Sequence, residues 1–186
     1  PNQIVWAYET AVTSRRGPVV LSIPEDVLSE PSAASLVEFN KRYSDPNPTV
    51  SEVDQAVALL TEAERPLVLV GGSVWDMEAS KFLAEWAELS GIPVVTTFRR
   101  QDYVDNTKKA YVGYVGLGVD SVLGKRIMES DVLLALGTRL SDASTDNYKL
   151  IKSPQTAQRL IHVYPDPLEL GRNFDPDLAI LAGAKN

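Results

Sequence analysis

Residues 66–72 read Pro-Leu-Val-Leu-Val-Gly-Gly: a short, continuous apolar run closed by two glycines. A run of this length without alternation is a strand buried on both faces. The pattern returns at 92–98 (IPVVTTF), 131–137 (DVLLALG), 159–165 (RLIHVYP) and 177–182 (DLAILA). Between the first two, residues 77–90 carry Phe82, Leu83, Trp86 and Leu89 on one helical face, and Gly91 stops the helix. Another helix is expected over 119–128. Strands alternating with helices predict an α/β domain, a Rossmann-like parallel sheet with helices on both faces and right-handed crossovers.

Outward from this core, Ser51 and Asp54 form a Ser-x-x-Asp helix start. Val53, Ala56, Val57 and Leu60 then share one face, and Arg65-Pro66 ends the helix. Further upstream, Pro24, Pro31, Pro46 and Pro48 lie among Ser, Asn and Asp. That stretch has little to bury and predicts an extended linker over 25–50. At the start, Ile4, Val5, Tyr8, Ala11 and Val12 have helical spacing, with Gly17-Pro18 as the stop. GPVVLSIP, residues 17–24, then reads as a short apolar strand. The expected division is a helix–strand tail of a preceding domain at 1–24, the linker at 25–50 and the sheet domain at 51–186. Residue 1 is Pro; the simplest expectation is a fragment, a processed chain or a trimmed one.

The 186 residues suffice for one core and a short appendage. With 44% hydrophobic and 23% charged residues, the balance is that of a soluble globular protein. No apolar run is long enough for a membrane span, and no secretory leader is visible. The absence of cysteine excludes disulfides, zinc–thiolate and iron–sulfur sites, and thiol nucleophiles. It fits a cytoplasmic protein. The single histidine, His162, excludes a multi-histidine metal site. A net charge of −7 without a basic run argues against nucleic-acid binding.

Ligands of open α/β sheets gather at the carboxyl ends of the strands. Three ends carry suggestive groups: Gly71-Gly72-Ser73, Thr96-Thr97-Phe98 and Gly137-Thr138-Arg139. The glycine pair reads either as a phosphate cradle or as a tight turn. The full Gly-x-Gly-x-x-Gly fingerprint is absent, with Val74 and Trp75 in its place. The threonines read as donors or as β-formers, and Arg139 as an anion contact or a carboxylate partner. Gly113, Gly116 and Gly118 mark a loop passing close to a ligand or a neighbouring backbone. Arg99 and Arg100 read as anion contacts or solvated surface, His162 as a satisfied core or strand-edge residue rather than a catalyst, and Asp131 and Asp142 as loop or cap carboxylates. No Ser-His-Asp set or carboxylate pair can be assembled.

Taken in order, GPVVLSIPEDVL, RPLVLVGG, SGIPVVTTF, YVGYVGLG, SDVLLALGTRLSD and RLIHVYPDPLELGRNF resemble the thiamine-diphosphate enzymes. The first resembles the end of their pyrimidine-binding domain and the others their central domain, in an acetolactate synthase-like pattern. The resemblance implies thiamine diphosphate and Mg2+ in a full-length parent, bound between the pyrimidine-binding and diphosphate-binding domains of the same chain. It places the activating glutamate before residue 1 and the Gly-Asp-Gly metal motif after residue 186. It implies a parent transferase or lyase, a central domain without catalytic residues of its own, and a homo-oligomer.

In acetolactate synthases the central domain holds FAD. Carried over by motif, the contacts are Gly71, Gly72, Thr97, Phe98, Gly116, Leu117, Gly137, Thr138 and Arg139. Several departures weaken that set. Leu117-Gly118-Val119 stands for the family's Met-His-Gly, and Arg99-Arg100-Gln101 for Gly-Lys-Gly. Tyr164 replaces an acidic strand-end residue, and Ala182-Gly183 replaces Gly-Asp, while Asp166-Pro167 is kept. Loss of acidic acceptors for ribose and adenine predicts weak or absent FAD binding and leaves ADP or another nucleotide open. Two other readings stand beside this one: a stand-alone FAD, ADP or NAD module, and an NAD-using deacetylase relative of the same superfold.

Overall fold

The structure is a computed structural model that describes residues 2–13, 15–35, 46–73 and 75–185. Residues 36–45 of the expected linker, and Val74 after the glycine pair, lie outside them. The chain divides into two units, residues 1–45 and 46–186.

In the first unit, α1 spans Asn2–Val12, and the Gly17 amide turns back to the Ala11 carbonyl at 3.0 Å. A second helix, α2, spans Glu25–Ser29, with Glu25 and Asp26 in its first turn beside the amino-terminal backbone amides. It interrupts a stretch whose prolines predict no regular structure. The expected strand at 17–24 is not found: these residues take no regular structure and join no sheet. A strand exists only through a partner's N–H and C=O groups, and apolar composition alone does not provide one.

The second unit opens with α3, Val50–Glu62. Its capping box is formed by Thr49 and Glu52, two residues before the expected Ser51–Asp54 pair. The Thr49 hydroxyl accepts from the Glu52 amide at 3.2 Å, and the Glu52 carboxylate accepts from the Thr49 amide at 2.7 Å. Strand β1 (Pro66–Val70) follows, then α4 (Met77–Ser90) and β2 (Val94–Thr96). Next come β3 (Tyr111–Tyr114), α5 (Ser121–Met128), β4 (Val132–Leu136), β5 (Arg159–Tyr164) and β6 (Leu178–Leu181). The sheet is parallel throughout, in the order β3-β2-β1-β4-β5-β6.

Strand β3 adds a sixth member to the five expected from the sequence. Gly113, at φ +126°, interrupts its apolar pattern, and its register against β2 shifts at Val94/Val95. As an edge strand it is only partly buried, so it lacks the continuous apolar signature of its neighbours.

Successive side chains alternate across the sheet. Leu67, Leu69, Leu133 and Leu160 face the same core as Leu123 and Ile127 of α5. Val68, Val70, Ile161 and Val163 face the opposite core, with Leu83 and Ala87 of α4 and Leu59 and Leu60 of α3 packed in. Helices therefore cover both faces, and each buried Leu or Val contributes roughly 1.5–3 kcal/mol. Asp131 ties the entrance of β4 to that of β1: its carboxylate accepts from the amides of Glu64 (2.7 Å), Arg65 (3.0 Å) and Val132 (2.8 Å). Burial raises its pKa, but these donors outweigh burial and hold it below the ordinary carboxylate value.

Candidate functional site

The strand order runs one way from β1 through β2 to β3 and the other way from β4 to β6. The switch point lies between β1 and β4, where open α/β sheets form a crevice at the strand carboxyl ends. Gly71-Gly72 leaves β1 there and Gly137-Thr138-Arg139 leaves β4. Thr97-Phe98 leaves β2, which lies beside β1.

These ends meet as closely packed backbone. A Cβ on Gly71 would stand 2.1 Å from Thr97 Oγ1 and 3.0 Å from Thr138 Cβ. A Cβ on Gly72 would stand 1.8 Å from the Gly137 carbonyl oxygen. Gly72 and Gly137 have φ of +86° and +68°, a region that favours glycine. The structure thus brings Gly71, Gly72, Thr97, Gly137 and Thr138 into one knot. Phe98 and Gly116 meet separately: a Gly116 Cβ would lie 3.1 Å from the Phe98 ring. Leu117 and Arg139 are exposed, and no carboxylate pairs with Arg139 among the described residues.

The chain itself satisfies the glycine pair. Trp75 Nε1 donates to the Gly71 carbonyl at 2.8 Å. Tyr103 Oη donates to the Gly72 carbonyl at 2.8 Å, and Arg100 Nε donates to the same oxygen. Burial raises the Tyr103 pKa; Arg100 opposes and Asp102 reinforces that shift, and the hydroxyl stays a donor. Asp76 caps α4, its carboxylate accepting from the Ala79 amide at 2.9 Å, and Glu78 adds an acid in the first turn. The helix end that a phosphate would use therefore already faces carboxylates.

Two more of the singled-out positions lie at and after the end of β5. Tyr164, where an acidic strand-end residue was expected, is buried. Asp166 uses its carboxylate locally, accepting from the Leu168 amide at 3.0 Å. The carbonyls of the glycine pair and the start of α4 are thus met by groups of the chain itself. Sequence reading singled out the glycines but missed Tyr103, and it took Trp75 only as a break in the fingerprint. The legible signal was the indole itself, a donor-only ring four residues after Gly71.

His162, on β5, is buried, as its apolar setting predicted. Its Nε2 lies 2.8 Å from the Thr138 carbonyl. A carbonyl only accepts, so Nε2 carries the proton; Nδ1 is buried without a partner. Burial lowers its pKa, against the Thr138 bond and the Glu169 charge, which raise it. The ring pins the turn carrying Thr138 and Arg139. Below pH about 6.5 the unfolded chain takes up a proton that the folded one resists. Urea stability should therefore fall as pH drops below that value, until the lower folded pKa is reached. His162→Gln should flatten this slope; an unchanged slope would assign it to another group.

Residues 53–186 match the family described as thiamine pyrophosphate enzyme, central domain. The chain belongs to the thiamine pyrophosphate enzyme family. This family member is 33% identical to a probable acetolactate synthase large subunit of Methanococcus aeolicus, over 96% of the chain and 30% of that protein. It is 32% identical to acetolactate synthase of Mycobacterium bovis, over 100% of the chain and 30% of that protein. Glyoxylate carboligase of Escherichia coli O157:H7 is 27% identical, over 100% of the chain and 31% of that protein. The chain thus spans about a third of the length of these relatives. As a thiamine pyrophosphate enzyme central domain, its six-stranded parallel sheet agrees with the Rossmann-like expectation. No helix among the described residues is long and apolar enough to cross a membrane.

Proposed function

We propose that this chain is the non-catalytic central domain of a thiamine-diphosphate-dependent 2-oxo acid carboligase or decarboxylase resembling acetolactate synthase. Its work is to space and brace the pyrimidine-binding and diphosphate-binding domains of a cytoplasmic, homo-oligomeric parent transferase. In that parent, thiamine diphosphate with Mg2+ supplies the electron sink. Residues 1–24 and 25–50 act as the preceding domain's tail and the linker. The observation that carries the reading is the self-satisfied crevice inside a matched central domain. Gly71, Gly72, Thr97, Gly137 and Thr138 join strand ends, and Phe98, Gly116, Leu117 and Arg139 flank them. Their service is to the scaffold rather than to FAD.

The test is calorimetry and absorbance on the full 186-residue chain. Neither thiamine diphosphate with Mg2+ nor FAD should bind, and the purified chain should carry no flavin absorbance. Near-stoichiometric flavin, or acetolactate formation from pyruvate by the chain alone, would overturn the reading. The exposed Ile4 and Tyr8 of α1 favour self-association, so light scattering should give a mass above one chain.

A further inference from the structure

We propose that residues 140–151, within the connection from β4 to β5, form a strained strap that opens as a unit of its own while the sheet stays folded. A crossover between parallel strands is usually a helix. Here the connection holds only a short 3-10 turn, Asp142–Ser144. The strap nevertheless covers the same face of the sheet as α5: Leu140, Leu150 and Ile151 are buried in one core with Leu123, Ile127 and Phe174.

Two effects oppose each other in it. Burial of the three apolar side chains closes the strap, and its backbone resists closure. Asp146, Asn147 and Tyr148 stand in succession at φ +48°, +54° and +61°, and Leu140 stands at +53°. Left-handed backbone crowds Cβ against the following carbonyl, so it occurs as single residues, chiefly Gly, Asn or Asp, and not in runs. A run that ends on an aromatic persists only where its surroundings impose it. The imposing bonds converge on Thr145, which is fully buried. Its carbonyl accepts from the Lys149 and Leu150 amides, both at 3.1 Å, and its hydroxyl accepts from the Tyr148 amide at 3.1 Å. The same hydroxyl donates to the Ser141 carbonyl at 2.9 Å, and the Asn147 amide donates to the Asp142 carbonyl at 2.8 Å. Tyr148 rests against Phe174, with ring centroids 6.1 Å apart. These hydrogen bonds are local to residues 141–150, so the strap can lift without breaking the sheet ladder, and lifting releases its strain.

Glycine gives the discriminating sign. In an ordinary loop a glycine adds chain freedom and speeds opening. At a left-handed position it relieves the closed strap, and opening slows. The experiment is native-state trypsin digestion of the full chain, with the Lys149–Leu150 bond followed by mass spectrometry and folding established by circular dichroism. The Lys149 side chain is exposed, but cleavage needs the chain around it unfolded, so the cutting rate counts open straps. In the native chain this rate should be nearly independent of low urea, because local opening exposes little surface. Asp146→Gly should slow the cut at least about three-fold, and Asn147→Gly should slow it as well. Asp146→Gly also removes the 3.9 Å ion pair with Lys149, which Asn147→Gly leaves in place. Asn147→Gly therefore decides where the two variants disagree or where Asp146→Gly does not fold. Cutting as fast as native, or faster, in folded Asn147→Gly overturns the proposal. So does failure of both variants to fold, since relief of strain cannot unfold the chain. A native bond cut only with the steep urea dependence of global unfolding overturns it too.

Discussion

Gly72→Ala is expected to cost the sheet unit about 3–5 kcal/mol, among the largest effects of any single substitution in this chain. Two penalties add. At φ +86° a side chain strains the backbone, and the new Cβ would stand 1.8 Å from the Gly137 carbonyl oxygen. That neighbour is backbone at the end of β4 and cannot rotate away. Gly91→Ala separates the two terms: Gly91 has φ +72°, and a Cβ there would meet nothing within 4 Å, so only strain, about 1 kcal/mol, is expected. Urea unfolding of both variants is the measurement. Equal losses would show that the close approach of the strand ends carries no weight.

Leu133→Ala is the second large effect, with an expected loss of about 2–5 kcal/mol. Leu133 is fully buried on β4, between Leu67 of β1 and Leu160 of β5. Truncation removes transfer energy and leaves a void that paired strands on both sides cannot close. Leu89→Ala is its control. Leu89 lies on α4 at 89% exposure, and a change within about 0.5 kcal/mol is expected there. The sequence placed Leu89 on the packed helix face with Leu83, but the structure turns it to solvent. A shift in urea midpoint as large as that of Leu133→Ala would contradict this orientation.

The same contrast explains what was legible in the site. Gly71, Gly72 and Gly137 stood out because glycine after a strand marks either a close approach or a ligand. Sequence could not choose between those readings. The choice depends on a contact between Gly72 and Gly137, which lie in segments joined only through the sheet. Thr49-x-x-Glu52 and Ser51-x-x-Asp54 both satisfy a helix-start pattern. The extended backbone of Thr49, φ −79° and ψ 155°, decides for the first. Residues 17–24 show the converse case. Their composition is that of a strand, but a strand is a property of a pair.

By itself the sequence determined the class of the fold. Runs such as PLVLV and VLLAL are apolar on both sides, and burial of both faces requires a parallel sheet between helical layers. Only the tertiary structure decided which groups of the chain meet the carboxyl end of β1. The Gly72 carbonyl meets Arg100 and Tyr103 because β2 lies beside β1 and delivers their loop across the strand ends. Burial pattern is written locally along the chain, whereas the partner of a hydrogen-bonding group is settled by which distant segments the sheet makes neighbours.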